Sequence, residues 1–157
     1  MRNAKIALDT NLTLLLAVGR AQRGLVPVHK RLQQFSDLDY GLLQGFLAVS
    51  DQVITTPFSM AEISNLAAFG VIEPARSRVV ASLKGLTEAF VEVYTPSKVL
   101  ARRAEFAWLG LADCAWLAVL DQHTRLLTVD NALYLAALKL GHNATNFHHV
   151  ADIRRGK

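Results

Sequence analysis

Apolar residues recur along this chain in two rhythms. Short runs of aliphatic and β-branched residues end on a polar or turn-forming residue. Longer stretches repeat at three and four positions, the helical period. Residues 5–8 read as a first strand that closes on Asp9 and feeds a helix over 12–22. Gly24 and Pro27 then punctuate the chain. A short helix is expected over 28–35. A longer one is expected over 38–49, with Leu38, Leu42, Leu43, Phe46 and Leu47 at helical spacing. Asp37 and Asp39 stand near its start, where carboxylates suit the helix dipole, and read as caps rather than ligands. The β-branched run 53–56 predicts a second strand stopped by Pro57, followed by a helix over 59–69 ended by Gly70. Pro74 opens a helix to residue 89, and residues 90–94 make a third strand stopped by Pro96. Ser97 caps a helix to about residue 107, Gly110 breaks it, and another runs over 111–122. A fourth strand from Arg125 ends on Asp130, a helix follows to Leu140 with Gly141 terminating it, and residues 144–147 make a weak last strand.

Strands alternating with helices call for an α/β fold, one parallel sheet covered by helices on both faces and joined by right-handed crossovers. A length of 157 residues suits a single domain with a sizeable core. We take residues 1–150 as that domain and 151–157 as a polar, basic tail. With 52% hydrophobic and 19% charged residues the chain is globular rather than disordered. No apolar run reaches the length of a membrane span. Arg2 and Lys5 precede the apolar stretch 12–18, and Ala17-Val18-Gly19 has the form of a signal-peptidase site. Asp9 and Asn11 interrupt that run, so it reads as strand and helix instead. A single cysteine, Cys114, allows no internal disulfide and fits a cytoplasmic protein.

Net charge is +4, with cations grouped at Arg20, Arg23, Lys30 and Arg31, at Lys98, Arg102 and Arg103, and at Arg154, Arg155 and Lys157. A polyanionic partner and an ordinary solvated surface both fit this balance. The carboxylates sharpen it. Asp9 and Asp130 end strands, whereas Glu62 and Asp113 stand near helix starts. Glu62 shares a helical face with Phe58, Leu66 and Phe69, and Asp113 heads a face carrying Trp116, Leu117 and Leu120. An ionised group on an apolar stripe is costly unless paired. Singly, each has a plain structural explanation: Asp113 as a helix-start carboxylate, Glu62 as an edge residue whose stem packs while its head reaches water. Together they are harder to dismiss, because strand ends and helix starts of a parallel sheet share one rim. Two carboxylates about 5 Å apart repel by roughly 3 kcal/mol at an effective dielectric near 20. A divalent cation relieves such repulsion, and all-oxygen ligands select Mg²⁺ or Mn²⁺. His148 and His149 lack zinc spacing and read as surface residues, and Cys114 reads as packing.

The ordered set Leu8-Asp9-Thr10-Asn11, Ala61-Glu62-Ile63, Leu111-Ala112-Asp113-Cys114-Ala115 and Leu127-Thr128-Val129-Asp130 resembles the PIN domain family. Its nearest likeness is to the VapC-like toxin ribonucleases of bacterial toxin–antitoxin pairs. The resemblance covers nearly the whole chain and implies a sheet in the order 3-2-1-4-5, with Asp9 and Asp130 neighbours at a switch point. It further implies Asp9 and Asp113 as primary metal ligands, Glu62 and Asp130 as a second pair acting directly or through water, and Thr10, Asn11 and Thr128 as the polar residues that orient them. The implied activity is a Mg²⁺- or Mn²⁺-dependent endoribonuclease in which metal-activated water hydrolyses RNA phosphodiesters. The implied partners are RNA in single-stranded loops, a cognate antitoxin that masks the acidic pocket, and a second copy in a homodimer. Residues 24–50 map onto little of the family pattern, and Asn131 has no assigned role.

Two other readings stay open: a PIN-shaped binding module without turnover, and an RNA-processing nuclease that is not a toxin. A phospho-acceptor receiver domain shares the strand-end acid. It needs adjacent acids after the first strand and a late lysine, which Asp9-Thr10-Asn11 and Thr128-Val129-Asp130 do not supply.

Overall fold

A computed structural model describes residues 4–157; residues 1–3, Arg2 and the start of the expected domain among them, lie outside the described residues. Strand β1 (Lys5–Leu8) is the centre of the sheet. On one side it pairs with β2 (Gln52–Thr55), and beyond that lies β3 (Val91–Glu92). On the other side it pairs with β4 (Thr124–Thr128), followed by β5 (Ala144–Asn146). Every pairing is parallel and the order is β3-β2-β1-β4-β5, as the resemblance implied.

Alternation along β1 divides the core. Ile6 and Leu8 face one layer, built from α1 (Thr10–Ala21), α2 (Asp37–Ala48), α3 (Pro57–Leu66), α4 (Ala75–Ala89) and α8 (Phe147–Arg154). Ala7 faces the other, where Trp116, Leu117 and Leu120, from or just past α6 (Phe106–Val119), meet Leu133 and Ala137 of α7 (Asn131–Lys139). Leu12 through Gly19 are all buried, so α1 is an interior helix. A fully buried leucine contributes about 1.5–3 kcal/mol, and α1 alone supplies Leu12, Leu14, Leu15 and Leu16. Space around α1 is tight: a Cβ on Gly19 would fall 2.3 Å from the Tyr40 ring of α2.

Polar caps end the strands. Asp9, Thr56, Asp130 and Asn146 are the N-caps of α1, α3, α7 and α8, each accepting a backbone N–H with its side-chain oxygen. Strand therefore turns into helix within one or two residues at four places along one rim. At the start of α2, Ser36 and Asp39 form a reciprocal capping box, so Asp39 is a capping residue as expected.

Several expectations are corrected. Residues 28–35 are turns rather than a helix, after a single 3-10 turn at Arg23–Leu25. There the buried His29 ring contacts the Ala67 carbonyl through Nε2 at 2.9 Å and accepts the Arg31 N–H at Nδ1, fixing non-helical backbone. Pro57 opens α3 instead of merely stopping β2, because a first helical position needs no N–H. The helix expected to reach residue 107 is only α5 (Ser97–Leu100), followed by turns; α6 then starts at Phe106 and bends at Gly110. Of the two tryptophans, Trp116 is core and Trp108 is 63% exposed. The boundary drawn at residue 150 falls inside α8, whose Phe147 and Ala151 are buried. No helix among the described residues is long and apolar enough to cross a membrane.

Candidate functional site

The strand order puts the carboxyl ends of β1 and β4 side by side, Leu8 level with Leu127. One residue on, the Asp9 N–H donates to the Leu127 carbonyl at 3.1 Å, which seats Asp9 against β4. Its side chain is held from three directions. Oδ1 accepts the Leu12 N–H at 2.9 Å, and Oδ2 accepts the Thr128 hydroxyl at 2.5 Å and the Val129 N–H at 2.8 Å. Thr128 is fully buried, and its oxygen also accepts the Asp130 N–H at 2.9 Å. One hydroxyl thus links the two strand-end acids. Asp130 turns its Oδ1 to the Leu133 N–H at 3.0 Å. Each carboxylate oxygen has two lone pairs, so Asp9 keeps capacity on Oδ1, and Asp130 on both oxygens.

Asp113 approaches from the other helical layer, on α6 just before the buried run Cys114 to Leu117. It is half-buried, so only part of its solvation is lost. Burial, then the charges of Asp130, Asp9 and Glu62, push its carboxyl up to about 6. The other three sequence-predicted acids therefore fall within electrostatic reach of Asp113. Asp9 is also raised, by burial first, which outweighs the lowering by Thr128, Leu12 and Val129; Asp130 adds to the rise.

Glu62 requires a correction. It is exposed, and the buried face of α3 is Ser59, Met60 and Ile63 instead of the stripe through Phe58, Leu66 and Phe69. Phe69 is itself half-exposed. Glu62 is therefore not an ion stranded on an apolar face; its head reaches water, and its charge reaches Asp113. Asp130 is likewise exposed.

The polar residues divide. Thr128 orients Asp9 directly. Thr10 bonds to Ser59 at 2.9 Å, tying the first turn of α1 to α3. Asn11 is half-buried on the same turn. Ser59 was missed by sequence reasoning, yet Thr56 three positions earlier caps α3 and accepts the Ser59 N–H, a spacing legible in the chain. Asn131 is exposed at the start of α7.

As a donor set the rim is all carboxylate, which suits a hard divalent cation. As the side chains stand, no three His, Cys, Asp or Glu side chains among the described residues are drawn together tightly enough to hold one ion. The electrostatic coupling at Asp113 spans a longer range than ligation requires, so the two observations are compatible. Two of the four acids, Glu62 and Asp130, are exposed; Asp130 is held as a cap by the Leu133 N–H through one oxygen only. No protein-family model matches the chain, and no curated protein matches it.

Proposed function

We propose that this protein is a divalent-cation-dependent endoribonuclease of the PIN type, acting as the toxin of a toxin–antitoxin pair. What supports this reading is the strand order, which sets Asp9 and Asp130 side by side at the ends of β1 and β4 about the Thr128 hydroxyl, with Asp113 of α6 near enough for their charges and that of Glu62 to act on it. Among the described residues, Asp113 has no capping or ion-pair role that would set it near the other acids. A pair of caps accounts for Asp9 and Asp130 but leaves the half-buried Asp113 beside them unexplained.

Asp9 and Asp113 would hold Mg²⁺ or Mn²⁺, with Glu62 and Asp130 completing the set from the solvent side. When bound, the cation supplies a more acidic water and neutralises charge building on the phosphate. The chain's own contribution is positional. The Leu12 and Val129 N–H groups and the Thr128 hydroxyl fix the plane of the Asp9 carboxylate. Surface cations hold the phosphates flanking the scissile one, offsetting repulsion between the acids and RNA. No nucleophilic side chain is required, and Cys114, fully buried, is packing.

The test is cleavage of single-stranded RNA by purified protein in Mg²⁺ or Mn²⁺. Asp9→Asn and Asp113→Asn should each lower the rate by at least about 100-fold while circular dichroism stays unchanged. Undiminished cleavage by Asp113→Asn would falsify the metal role. A second reading is a binding module without turnover, which fits the capping roles already filled by Asp9 and Asp130. Mn²⁺ titration separates the two, since a module has no reason to be stabilised by the ion. The toxin assignment carries two partners, a cognate antitoxin covering the rim and a second copy of the chain. An adjacent reading frame encoding a small DNA-binding protein supports the pair; its absence favours an RNA-processing nuclease.

A further inference from the structure

Residues 97–108 pack, through Leu100, on the helices that carry Glu62 and Asp113 and supply none of the rim acids. Leu100 of α5 is fully buried against Cys114 and Ala115, with Phe58 and Leu111 packed around. Cys114 follows Asp113, and Phe58 precedes Glu62 by one helical turn. The leucine therefore pins α5 to the two helices that carry the rim's helical acids. Around this anchor the surface is basic. Lys98 and Arg102 are exposed and form no ion pair among the described residues. Arg103 is engaged with Glu105 at 3.4 Å.

The same segment exposes aromatic rings. Phe106 is 38% and Trp108 63% exposed in the first turn of α6. Phe69, by contrast, is partnered: Lys30 and Arg31 lie over its ring at 6.0 and 5.4 Å. Trp108 has no such cover among the described residues. Gly110, at φ 81° and ψ 179°, breaks α6 between Trp108 and Asp113, a conformation that favours glycine. The first turn is thus aimed independently of the turns carrying the acid. Ring and acid are five positions apart, at most about 18 Å along even an extended chain. That is the span of a few nucleotides.

A large unpartnered ring among unpaired cations matches single-stranded nucleic acid, whose bases offer π faces and whose backbone offers charge. A protein partner would favour a centre depleted of charge. We propose that Trp108 stacks on an unpaired nucleobase while Lys98 and Arg102 hold neighbouring phosphates, so that this segment feeds single-stranded RNA to the acidic rim. The inference rests on the nuclease reading and adds the residues that select unpaired RNA.

Trp116, 1% exposed, is a silent internal reference, so quenchable tryptophan emission reports Trp108. Oligouridylate is titrated into the full chain in chelator, where no cutting occurs. Emission should be quenched, Trp108→Ala should bind roughly ten-fold more weakly, and Trp108→Tyr should recover most of the loss. Lys98→Ala or Arg102→Ala should each reduce the salt slope by about 0.7. A duplex of equal length should quench little. Unquenched emission, or parental affinity in Trp108→Ala, overturns the stacking role. So does a dimeric parent that Trp108→Ala turns monomeric without loss of RNA affinity per chain, which assigns the ring to an interface between copies. Failure of the nuclease reading shows separately, as cutting by Asp113→Asn.

Discussion

Asp113 concentrates the site's chemistry in one side chain. Its own burial and three other carboxylates push its carboxyl up to about 6, so its charge at neutral pH costs the metal-free fold. Asn at this position keeps the shape and removes the repulsion. In chelator, Asp113→Asn should melt ~2–4 °C above the parent, after discounting for the partial exposure of the group. Mn²⁺ should raise the parent's Tm in a concentration-dependent way and leave the variant's nearly unmoved. A variant that melts below the parent in chelator would mean that the acid stabilises the fold, as a plain cap does. His29 makes the opposite point about single residues. Its ring, gripped by Ala67 and Arg31, decides the backbone of a whole segment, and nothing in the local pattern announced it.

Among the elements, α8 shows how a segment read as a tail becomes part of the core. Asn146 caps it, Phe147 is fully buried against Phe35 and Phe46, and Arg155 just past its end pairs with Asp39. Asp39 is 2% exposed and already closes the capping box of α2. Arg155→Ala leaves that carboxylate buried with only its Ser36 contacts. Urea denaturation should show a loss of about 1–3 kcal/mol, shrinking when Asp39→Asn is added, because the two side chains act as a pair. Equal losses with and without Asp39→Asn would place the cost elsewhere. The last strand was legible as a weak one, and the Asn146 cap within it was not read. The helix after it was not legible, since His148, His149 and Arg154 mask the few apolar positions that dock.

For the whole molecule, the parallel sheet separates two poles. Carboxyl ends of the strands carry Asp9 and Asp130; amino ends carry a cleft of about 490 Å³ lined by Lys5, His123 and Arg125 among others. At that second pole Asp121 accepts from Thr124, His123 and Lys5 and is held down to about 2, the Thr124 hydroxyl being the largest influence. A depressed carboxyl contributes stability that is present above its ordinary value of 3.8 and is lost as pH falls toward about 2. Asp121→Asn should therefore be less stable at neutral pH by about 1 kcal/mol or less, given its exposure, and the gap should close between about pH 4 and pH 2. A gap that persists through that window in thermal melts would mean that charge is not the cause.

Alternation of strands and helices, the parallel sheet and the capping role of Asp39 were written in local patterns, because hydrophobic period and cap chemistry act over a few residues. The acids were visible as residues, and the proximity of Asp9 to Asp130 followed from topology once strands 1 and 4 were neighbours. Tertiary structure alone decided that Glu62 is exposed, that residues 28–35 are turns and that Trp108 stands in solvent. Each depends on which side of an element faces a neighbour, or on one distant carbonyl, and a helical period specifies a face only to within a residue or so. The exchange of one face of α3 for the next turned an apparent buried charge into an exposed one, and only packing against α1 and the sheet could select between them.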